Sequence, residues 1–157
     1  PTQIDKFGQA NISMIGTDYQ KPKSMMLGVR GFPGNSINHA NSFFVPNHST
    51  KVFVGGEVDM VASAGYNPAR LAKGWDLNEI DVRWVLTNLA ILDFGGPQHQ
   101  MQVRSLHPGV SLAQVQEATG FELHVPAHVA VTPDPSAEQL ALLAKLDPHN
   151  LRATALG

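Results

Sequence analysis

Two apolar segments joined by a glycine turn most constrain how this chain can fold. The segment 82–94 is strongly apolar and ends at Gly95-Gly96-Pro97. Its length and composition predict either one long bent strand or two strands that meet near Thr87-Asn88. Residues 100–106 then alternate between apolar and polar side chains, as a half-buried strand does. The two segments together predict a β-hairpin.

Other parts of the chain carry the signals of short strands and short helices. Strand-like runs occupy residues 10–15, 25–29, 51–54, 58–62 and 121–125. Three helices are predicted to follow capping residues and to end at characteristic breaks: Asn35 to about Ser42, Ser111 to Ala118 with Gly120 behind it, and Ser136 to Pro148. Residues 69–81 show no clear pattern. Strands interleaved with short helices indicate the α/β class.

Length and composition bound the kind of protein. A chain of 157 residues is long enough for one domain with a hydrophobic core. Its formal net charge of -2 provides no basic surface for nucleic acid, and no apolar run approaches the roughly 20 residues that span a bilayer. The absence of cysteine excludes disulfides and thiolate chemistry and fits a cytoplasmic protein. We expect no nucleic-acid or membrane partner and a cytoplasmic location.

A polar, glycine-rich loop at residues 28–39 is the strongest functional signal. Three glycines and one proline within residues 28–34 let the backbone turn sharply and lie close to a ligand. Arg30 stands among them, and its planar guanidinium can bind two oxygens at once without losing its charge. We predict that the loop holds an anionic or carbonyl-bearing substrate and that Arg30 is catalytic. The alternative is a loop arginine paired with a carboxylate.

Neighbouring residues are predicted to bind the substrate. Backbone N–H groups of Gly31 and Gly34 can face a carbonyl oxygen, although both residues are also ordinary turn glycines. Asn35 is the expected N-cap, and a helix start favours anions, whereas a lone loop histidine such as His39 is more often structural. The predicted substrate-binding residues are Gly31, Phe32, Gly34, Asn35, Asn38, His39 and, in a loop after a strand, Tyr66.

Other chemistries have weaker signals. The histidines are scattered, and Pro126 separates His124 from His128, so no metal site is expected. Glu57 follows a glycine pair and is a conceivable nucleophile. The glycine spacing in 28–34 matches neither a Rossmann nor a Walker loop, and the chain has no Gly-x-Ser-x-Gly elbow.

Several segments match one family pattern in order along the chain. They are Gln3–Asn11 (QIDKFGQAN), Asn88–Phe94 (NLAILDF), His107–Ser111 with Thr119–Leu123 (HPGVS and TGFEL), and the helix of Pro133–Pro148. In these segments the chain resembles the β subunits of class I coenzyme A transferases of the glutaconate type.

This resemblance implies a fold and an assembly. The expected fold is an open α/β sheet with flanking short helices, CoA-transferase-like (NagB/RpiA/CoA-transferase type), with residues 1–157 as a single domain. Because such subunits are longer, the chain looks like the C-terminal part of one. The implied enzyme is a heteromer with an α subunit that acts on acyl-CoA thioesters, with coenzyme A as part of the substrate and no permanently bound cofactor. The nucleophilic glutamate of the transferases lies upstream of this region.

The glycine loop departs from the transferase pattern. Arg30, Phe32, Pro33 and Asn35 stand where the transferases mostly have small residues. This form resembles a divergent branch, the CoA-transferase-like β subunits of bacterial steroid and cholesterol catabolism, which open a steroid-derived ring in a CoA thioester by hydrolysing a carbon–carbon bond. We therefore expect a ring-opening hydrolase whose base is a glutamate on the α subunit. The alternatives are a true CoA-transferase with a glutamyl-CoA intermediate and a non-catalytic assembly segment.

Overall fold

The centre of the molecule is a five-stranded mixed sheet. The computed structural model describes residues 1–70 and 76–155, so part of the stretch 69–81 lies outside the described residues. The strands are β1 (Gln3–Ile4), β2 (Ala10–Asn11), β3 (Met14–Ile15), β4 (Ser24–Met25), β5 (Asn41–Val45), β6 (Val82–Thr87), β7 (Ala90–Asp93), β8 (Gln102–Leu106) and β9 (Ala130–Val131). The helices are α1 (Phe32–Asn38), α2 (Leu112–Glu117), α3 (Ala137–Leu146) and α4 (Leu151–Ala155), with 3-10 turns at Pro68–Arg70, Leu77–Glu79 and Pro97–His99.

The order of strands in this sheet is β5-β6-β7-β8-β9. Strands β6, β7 and β8 are antiparallel neighbours, while β5 runs parallel to β6 and β9 runs parallel to β8. The remaining strands form two small hairpins, β1 with β2 and β3 with β4. The α/β class predicted from the sequence is confirmed.

The apolar segment 82–94 forms two strands, as one of the two sequence alternatives predicts. The chain reverses where the Thr87 hydroxyl accepts hydrogen bonds from the N–H groups of Leu89 (3.0 Å) and Ala90 (2.9 Å). Because a hydroxyl can replace backbone acceptors in this way, a very short connection suffices. The predicted hairpin between this segment and 100–106 is confirmed as β7 paired with β8.

One face of the sheet builds the core. Val85, Leu92 and Val103 are fully buried on three adjacent strands. Ile4 and Phe53 are also fully buried and belong to the same cluster, so the first hairpin packs against the central sheet. None of the helices that the structure describes combines the length and the apolarity that crossing a bilayer requires.

All five of the short strands predicted outside the hairpin are wrong or incomplete, and of residues 25–29 only Met25 belongs to a strand, β4. Residues 51–54 make only one isolated bridge, from Phe53 to Ile4, because the N–H groups of Val52 and Phe53 bond back to the Ser49 carbonyl in a turn. Residues 58–62 form no strand, and 121–125 contribute a single bridge at His124. Residues 10–15 divide into β2 and β3 at a tight turn. In 51–54, 58–62 and 121–125, single side chains such as Phe53, Val58 and Leu123 are buried by packing without a hydrogen-bonded ladder.

The helix ends agree with those predicted from capping residues only where the capping hydrogen bonds form. Ser111 and Ser136 each accept a hydrogen bond in a complete capping box, so both predicted starts are confirmed. Asn35 is not an N-cap, because Pro33 lies in the first turn and α1 already begins after Gly31. Gly120 does not close α2, which ends at Glu117 with Ala118 as its C-cap. A Cβ at Gly120 would lie 2.5 Å from the Phe53 carbonyl oxygen, so close backbone packing explains this glycine.

His48 is a buried histidine held between two threonine hydroxyls. Its Nδ1 lies 3.1 Å from the Thr87 hydroxyl and its Nε2 lies 2.9 Å from the Thr119 hydroxyl. The ring stacks on Phe53 with the centroids 3.9 Å apart. Burial lowers the pKa of His48 to about 4, because the imidazolium cannot be solvated there.

The hydrogen bonds of Thr87 fix which form of His48 fits. Its oxygen already accepts two N–H groups, from Leu89 and Ala90, so it has no lone pair left for a proton on His48 Nδ1, and its own proton is shared between Nδ1 and the Ala90 carbonyl, 3.0 Å away. Nδ1 is therefore unprotonated, and Nε2–H donates to Thr119, whose own proton goes to a carbonyl of α2. A second proton on His48 would face an oxygen without a free lone pair.

Asp5 is the second buried titratable group. It is 2% exposed at the turn between β1 and β2, where one carboxylate oxygen accepts the N–H groups of Phe7 and Gln9, both at 3.0 Å. Burial raises the pKa of Asp5 to about 7, against the opposing effect of these two bonds, and the nearby Glu57 carboxylate adds to the increase.

His48 makes acid destabilising. Because its folded-state pKa of about 4 lies below the ordinary value of 6.5, the unfolded chain binds more protons between these values, and stability falls as pH drops through this window. We expect the His48→Gln variant to lose less stability than the wild type between pH 7 and pH 4.5. Urea unfolding at several pH values measures this. Parallel profiles for the two proteins contradict it.

Asp5 acts in the opposite direction. With a folded-state pKa of about 7 and an ordinary value of 3.8, the folded chain holds a proton that the unfolded chain releases, so this contribution is lost as pH rises through about 7. The Asp5→Asn variant keeps an acceptor for both N–H groups and cannot ionise. We expect its stability relative to the wild type to rise between pH 5 and pH 8 by a few kcal/mol, as an order of magnitude. Thermal and urea unfolding at both pH values test this, and a constant difference is the contrary result.

Candidate functional site

The glycine loop is anchored to the turn between β2 and β3. Met26 N–H donates to the Ser13 carbonyl (2.7 Å), and Gly28 N–H donates to the Ile12 carbonyl (3.2 Å). A Cβ at Gly28 would overlap that carbonyl and would lie 2.6 Å from Ile12 Cγ1. The start of the loop therefore requires glycine for an internal, steric reason.

Arg30 follows this anchor with its side chain in solvent. Its backbone φ is 51°, in the left-handed region that costs a non-glycine residue energy and that occurs often at functional sites. Within residues 1–70 and 76–155 its guanidinium has no carboxylate partner and no hydrogen bond. The alternative, a loop arginine paired with a carboxylate, is not supported by any ion pair of Arg30 in the described chain.

Helix α1 fixes the rest of the loop against the sheet. The Phe32 ring packs edge-on against Phe43 of β5, with the ring centroids 6.1 Å apart. Phe32 is partly buried against the core, and Ser36 is 2% exposed on the same helix. Phe32 thus anchors the helix, and its contact with substrate stays a prediction.

Some backbone donors of the loop are bonded and others are free. Phe32 N–H donates to Val29, Asn35 N–H donates to Gly31, and Pro33 has no N–H. The N–H groups of Gly31 and Gly34 find no acceptor in the portion of the chain that the structure describes, and neither do those of Val29 and Arg30. The donors available to a ligand therefore include those of the two glycines.

Gly31 and Gly34 differ from Gly28 in their surroundings. A Cβ at either position would have nothing within 4 Å, and both residues are exposed. Gly31 has φ -77°, which any residue can adopt. No contact within the described chain thus requires glycine at these two positions.

The polar side chains of α1 lie at the surface. Asn38 Nδ2 donates to the Gly34 carbonyl (2.9 Å). Asn41 Nδ2 donates to the carbonyls of Asn35 (3.1 Å) and His39 (2.5 Å), which ties the end of α1 to β5. The side chains of Asn35, Asn38 and His39 are exposed beside the loop, and their roles in binding substrate stay predictions.

Tyr66 lies apart from this group. It is 7% exposed and belongs to the core, and its hydroxyl lies 3.0 Å from both the N–H and the carbonyl of Val82. The ring stacks on His99, with the centroids 4.9 Å apart. No recorded contact of the described residues joins Tyr66 to the glycine loop, so its role as a pocket wall is a prediction that its packing does not support.

The setting of Asp5 was not predicted from the sequence. Asp5 lines a cleft of about 390 Å³, together with Lys6, Phe7, the glycine pair at 55–56, Glu57 and Gly120. Its second carboxylate oxygen has no hydrogen-bond partner among the described residues. A buried carboxyl with a pKa displaced toward neutrality is typical of functional sites as well as of structural networks. The turn motif Asp5-Lys6-Phe7-Gly8 carries no signal of this burial.

Glu57, the conceivable nucleophile, is held in an ion pair. Arg70 Nε donates to its Oε1 (2.6 Å), and an Arg70 terminal nitrogen donates to its Oε2. Hydrogen bonding from Arg70 lowers the pKa of Glu57. A carboxylate engaged at both oxygens is a weak nucleophile. Within the described ranges no three His, Asp or Glu side chains are placed to hold a metal ion.

The chain resembles characterised proteins over almost its whole length. It is 43% identical to the cholesterol ring-cleaving hydrolase IpdB subunit of Mycobacterium tuberculosis, covering 96% of this chain and 59% of that subunit. It is 30% identical to the β subunit of glutaconate CoA-transferase from Acidaminococcus fermentans, covering 93% of this chain and 54% of that subunit. No protein-family model matches the chain.

A solved structure shows the same similarity at the level of the fold. The crystal structure of Rhodococcus jostii RHA1 IpdAB superposes with a TM-score of 0.88 at 40% identity, covering 98% of this chain and 61% of that one. The chain thus spans about 59% of the length of its curated relatives. It has the CoA-transferase fold, and it is a homologue of the β subunits of the cholesterol ring-cleaving hydrolases and of the CoA-transferases.

Proposed function

We propose that the chain is part of the β subunit of a hydrolase that opens a steroid-derived ring in a CoA thioester, working with an α subunit. The observation that carries this proposal is Arg30, an exposed and unpaired cation beside two free backbone N–H groups within the described chain. Support also comes from the 43% identity to a subunit named as a cholesterol ring-cleaving hydrolase. Coenzyme A enters as part of the substrate, and a cytoplasmic location belongs to the same proposal.

The loop suits a reaction that develops negative charge on oxygen. A base, which we assign to a glutamate of the α subunit, takes a proton from water, and the water oxygen bonds to a ring ketone carbon. The carbonyl electron pair moves onto oxygen, where Arg30 and the N–H groups of Gly31 and Gly34 stabilise it. Return of that pair re-forms the carbonyl as a carboxylic acid and breaks the ring carbon–carbon bond.

The departing electron pair must also be stabilised. It goes to a carbon next to a second carbonyl and forms an enolate, which takes up the proton that the base removed from water. A guanidinium can bind two oxygens, so Arg30 can serve either the first oxyanion or the enolate. In this proposal the catalytic residue is Arg30, and the N–H groups of Gly31 and Gly34 bind the substrate. The other substrate-binding residues are Phe32, Asn35, Asn38 and His39.

A CoA-transferase is the second candidate, favoured by the 30% identity to the glutaconate CoA-transferase β subunit. That reaction uses a carboxylate nucleophile to form an acyl anhydride and then a glutamyl-CoA thioester. Glu57 is bound at both oxygens by Arg70, so it does not suit this role. Transfer of CoA to an added carboxylate, with ping-pong kinetics, would favour the transferase. A third candidate is a segment that only assembles with the α subunit.

Replacement of Arg30 tests the proposed role directly. In the complete enzyme we expect Arg30→Ala to lower kcat/KM for ring opening by about 10²- to 10³-fold, because an oxyanion donor is lost. Arg30→Lys keeps the charge but cannot bind two oxygens at once, so its kcat/KM should lie between those of the wild type and Arg30→Ala. Arg30→Gly relieves the positive φ, so it should match or exceed the wild type in thermal stability and still lack activity. Near-normal kcat/KM in the alanine variant contradicts the role.

The two free glycines give an independent test. A Cβ meets nothing within 4 Å at either position, so we expect Gly34→Ala to fold with equal or slightly higher stability, since alanine favours helix, and Gly31→Ala to fold with a small loss, since glycine is preferred to alanine at an N-cap. We expect both to lose at least about tenfold in kcat/KM, because a methyl group stands where the substrate oxygen must approach the N–H groups. Gly28→Ala is the matched contrast and should lose stability. Full activity in both exposed variants would count against substrate contact at α1.

A further inference from the structure

Gln3 and Asn11 are buried polar residues outside the proposed site. They are 7% and 0% exposed, respectively, and they face each other across β1 and β2. Asn11 Nδ2 donates to Gln3 Oε1 (2.7 Å), which also accepts the N–H of Asp59 (3.0 Å). Gln3 Nε2 in turn donates to the Asp59 carboxylate (3.1 Å). Burial of such groups is costly unless each is bonded, so this pair has a fixed geometry.

Asn11 also shapes the turn that follows it. Its Oδ1 accepts the N–H groups of Ser13 (2.9 Å) and Met14 (3.4 Å), and its Nδ2 donates a second bond to the Met14 carbonyl (2.6 Å). Two acceptor positions and two donors of one amide are thus occupied. The side chain replaces the backbone partners that a longer hairpin would supply.

The carbonyls of this turn receive the glycine loop. Ser13 and Ile12 accept the N–H groups of Met26 and Gly28, and the crowding of Gly28 against Ile12 leaves no room for a shift toward the turn. Arg30 lies two residues beyond Gly28. The path from Asn11 to Arg30 therefore consists of the turn at 12–14, two backbone hydrogen bonds and one peptide segment.

We propose that Asn11 is a positioning residue for Arg30: it fixes the turn on which the glycine loop rests and so sets where the guanidinium stands. The catalytic consequence of this inference rests on the proposed function. The structural consequence does not, since it concerns only the hydrogen bonds of Met26 and Gly28. Because a displacement of about 1 Å can cost about 10²-fold in rate, loss of the Asn11 amide should reduce activity far beyond its effect on stability.

The activity test is a double-mutant cycle between Asn11 and Arg30 in the complete enzyme. We expect Asn11→Ala to lower kcat at least about tenfold with a smaller change in KM. In the Arg30→Ala background the same change should lower kcat no further, while the losses of thermal stability should add. Equal effects of Asn11→Ala on kcat in both backgrounds would overturn the inference.

A second readout is independent of activity. Hydrogen–deuterium exchange of the peptide covering 24–30 reports the amides of Met26 and Gly28, and we expect it to speed up in Asn11→Ala. Should alanine not fold, Asn11→Ser keeps one hydroxyl acceptor for the turn and should show a smaller change of the same kind. Unchanged exchange in a folded variant overturns the inference even if the ring-opening activity is present.

The matched control is Thr119→Val, which also removes a buried hydrogen-bonding group. Its hydroxyl bonds to His48 and to a carbonyl of α2, and neither contact involves the loop. We expect Thr119→Val to lose stability without changing exchange at 24–30 and without coupling to Arg30. If the complete enzyme opens no ring, the proposed function fails, and the exchange data alone then decide the inference.

Discussion

Hydrogen bonds from buried amide and carboxyl side chains hold together the half of the molecule that carries the loop. Strands β1 to β4 are each two residues long, so their ladders supply few bonds. Gln3, Asp5 and Asn11 compensate, since each is buried and each bonds backbone groups in a neighbouring turn. A network of this kind requires specific residues, because an apolar substitute leaves the turn amides without acceptors. The N–H groups of Met26 and Gly28, at the start of the glycine loop, donate to carbonyls of the turn that Asn11 bonds.

Several polar side chains are buried in this molecule, whereas charged side chains lie at its surface. Three buried titratable groups are displaced toward their neutral forms, as burial lowers the pKa of His48 and raises the pKa values of Asp5 and Tyr66. Charged groups stand at the surface, and most of the arginines there have carboxylate partners. Arg30 has none within the described chain, so its charge is available to whatever occupies the space beside α1. The uncompensated charge and the free N–H groups thus coincide at one loop.

Local sequence patterns predicted those elements whose cause is local. The capping boxes at Ser111 and Ser136 and the hairpin of β7 with β8 need only neighbouring residues to form, and all three were predicted correctly. The supposed strand at 51–54 failed because its partners lie far along the chain and offer only one bridge. The helix expected after Asn35 starts earlier because Pro33 stabilises its first turn. Which loop N–H groups are free was likewise beyond the sequence, since it depends on which carbonyls the folded loop presents.

The glycines of the loop illustrate how a fold and a function make separate demands on one short segment. Gly28 is required from within, because any side chain there would collide with the Ile12 carbonyl. A side chain at Gly31 or Gly34 would be crowded by nothing in the described chain, yet glycine at the exposed helix position of Gly34 costs about 0.5–1 kcal/mol relative to alanine. In the proposed function, this residue lowers stability without relieving an internal clash because a substrate group approaches it from outside the chain. The same reasoning applies to Arg30, whose positive φ also costs energy. The internal glycine positions the loop, and in the proposed function the exposed residues that follow it present free donors to the substrate.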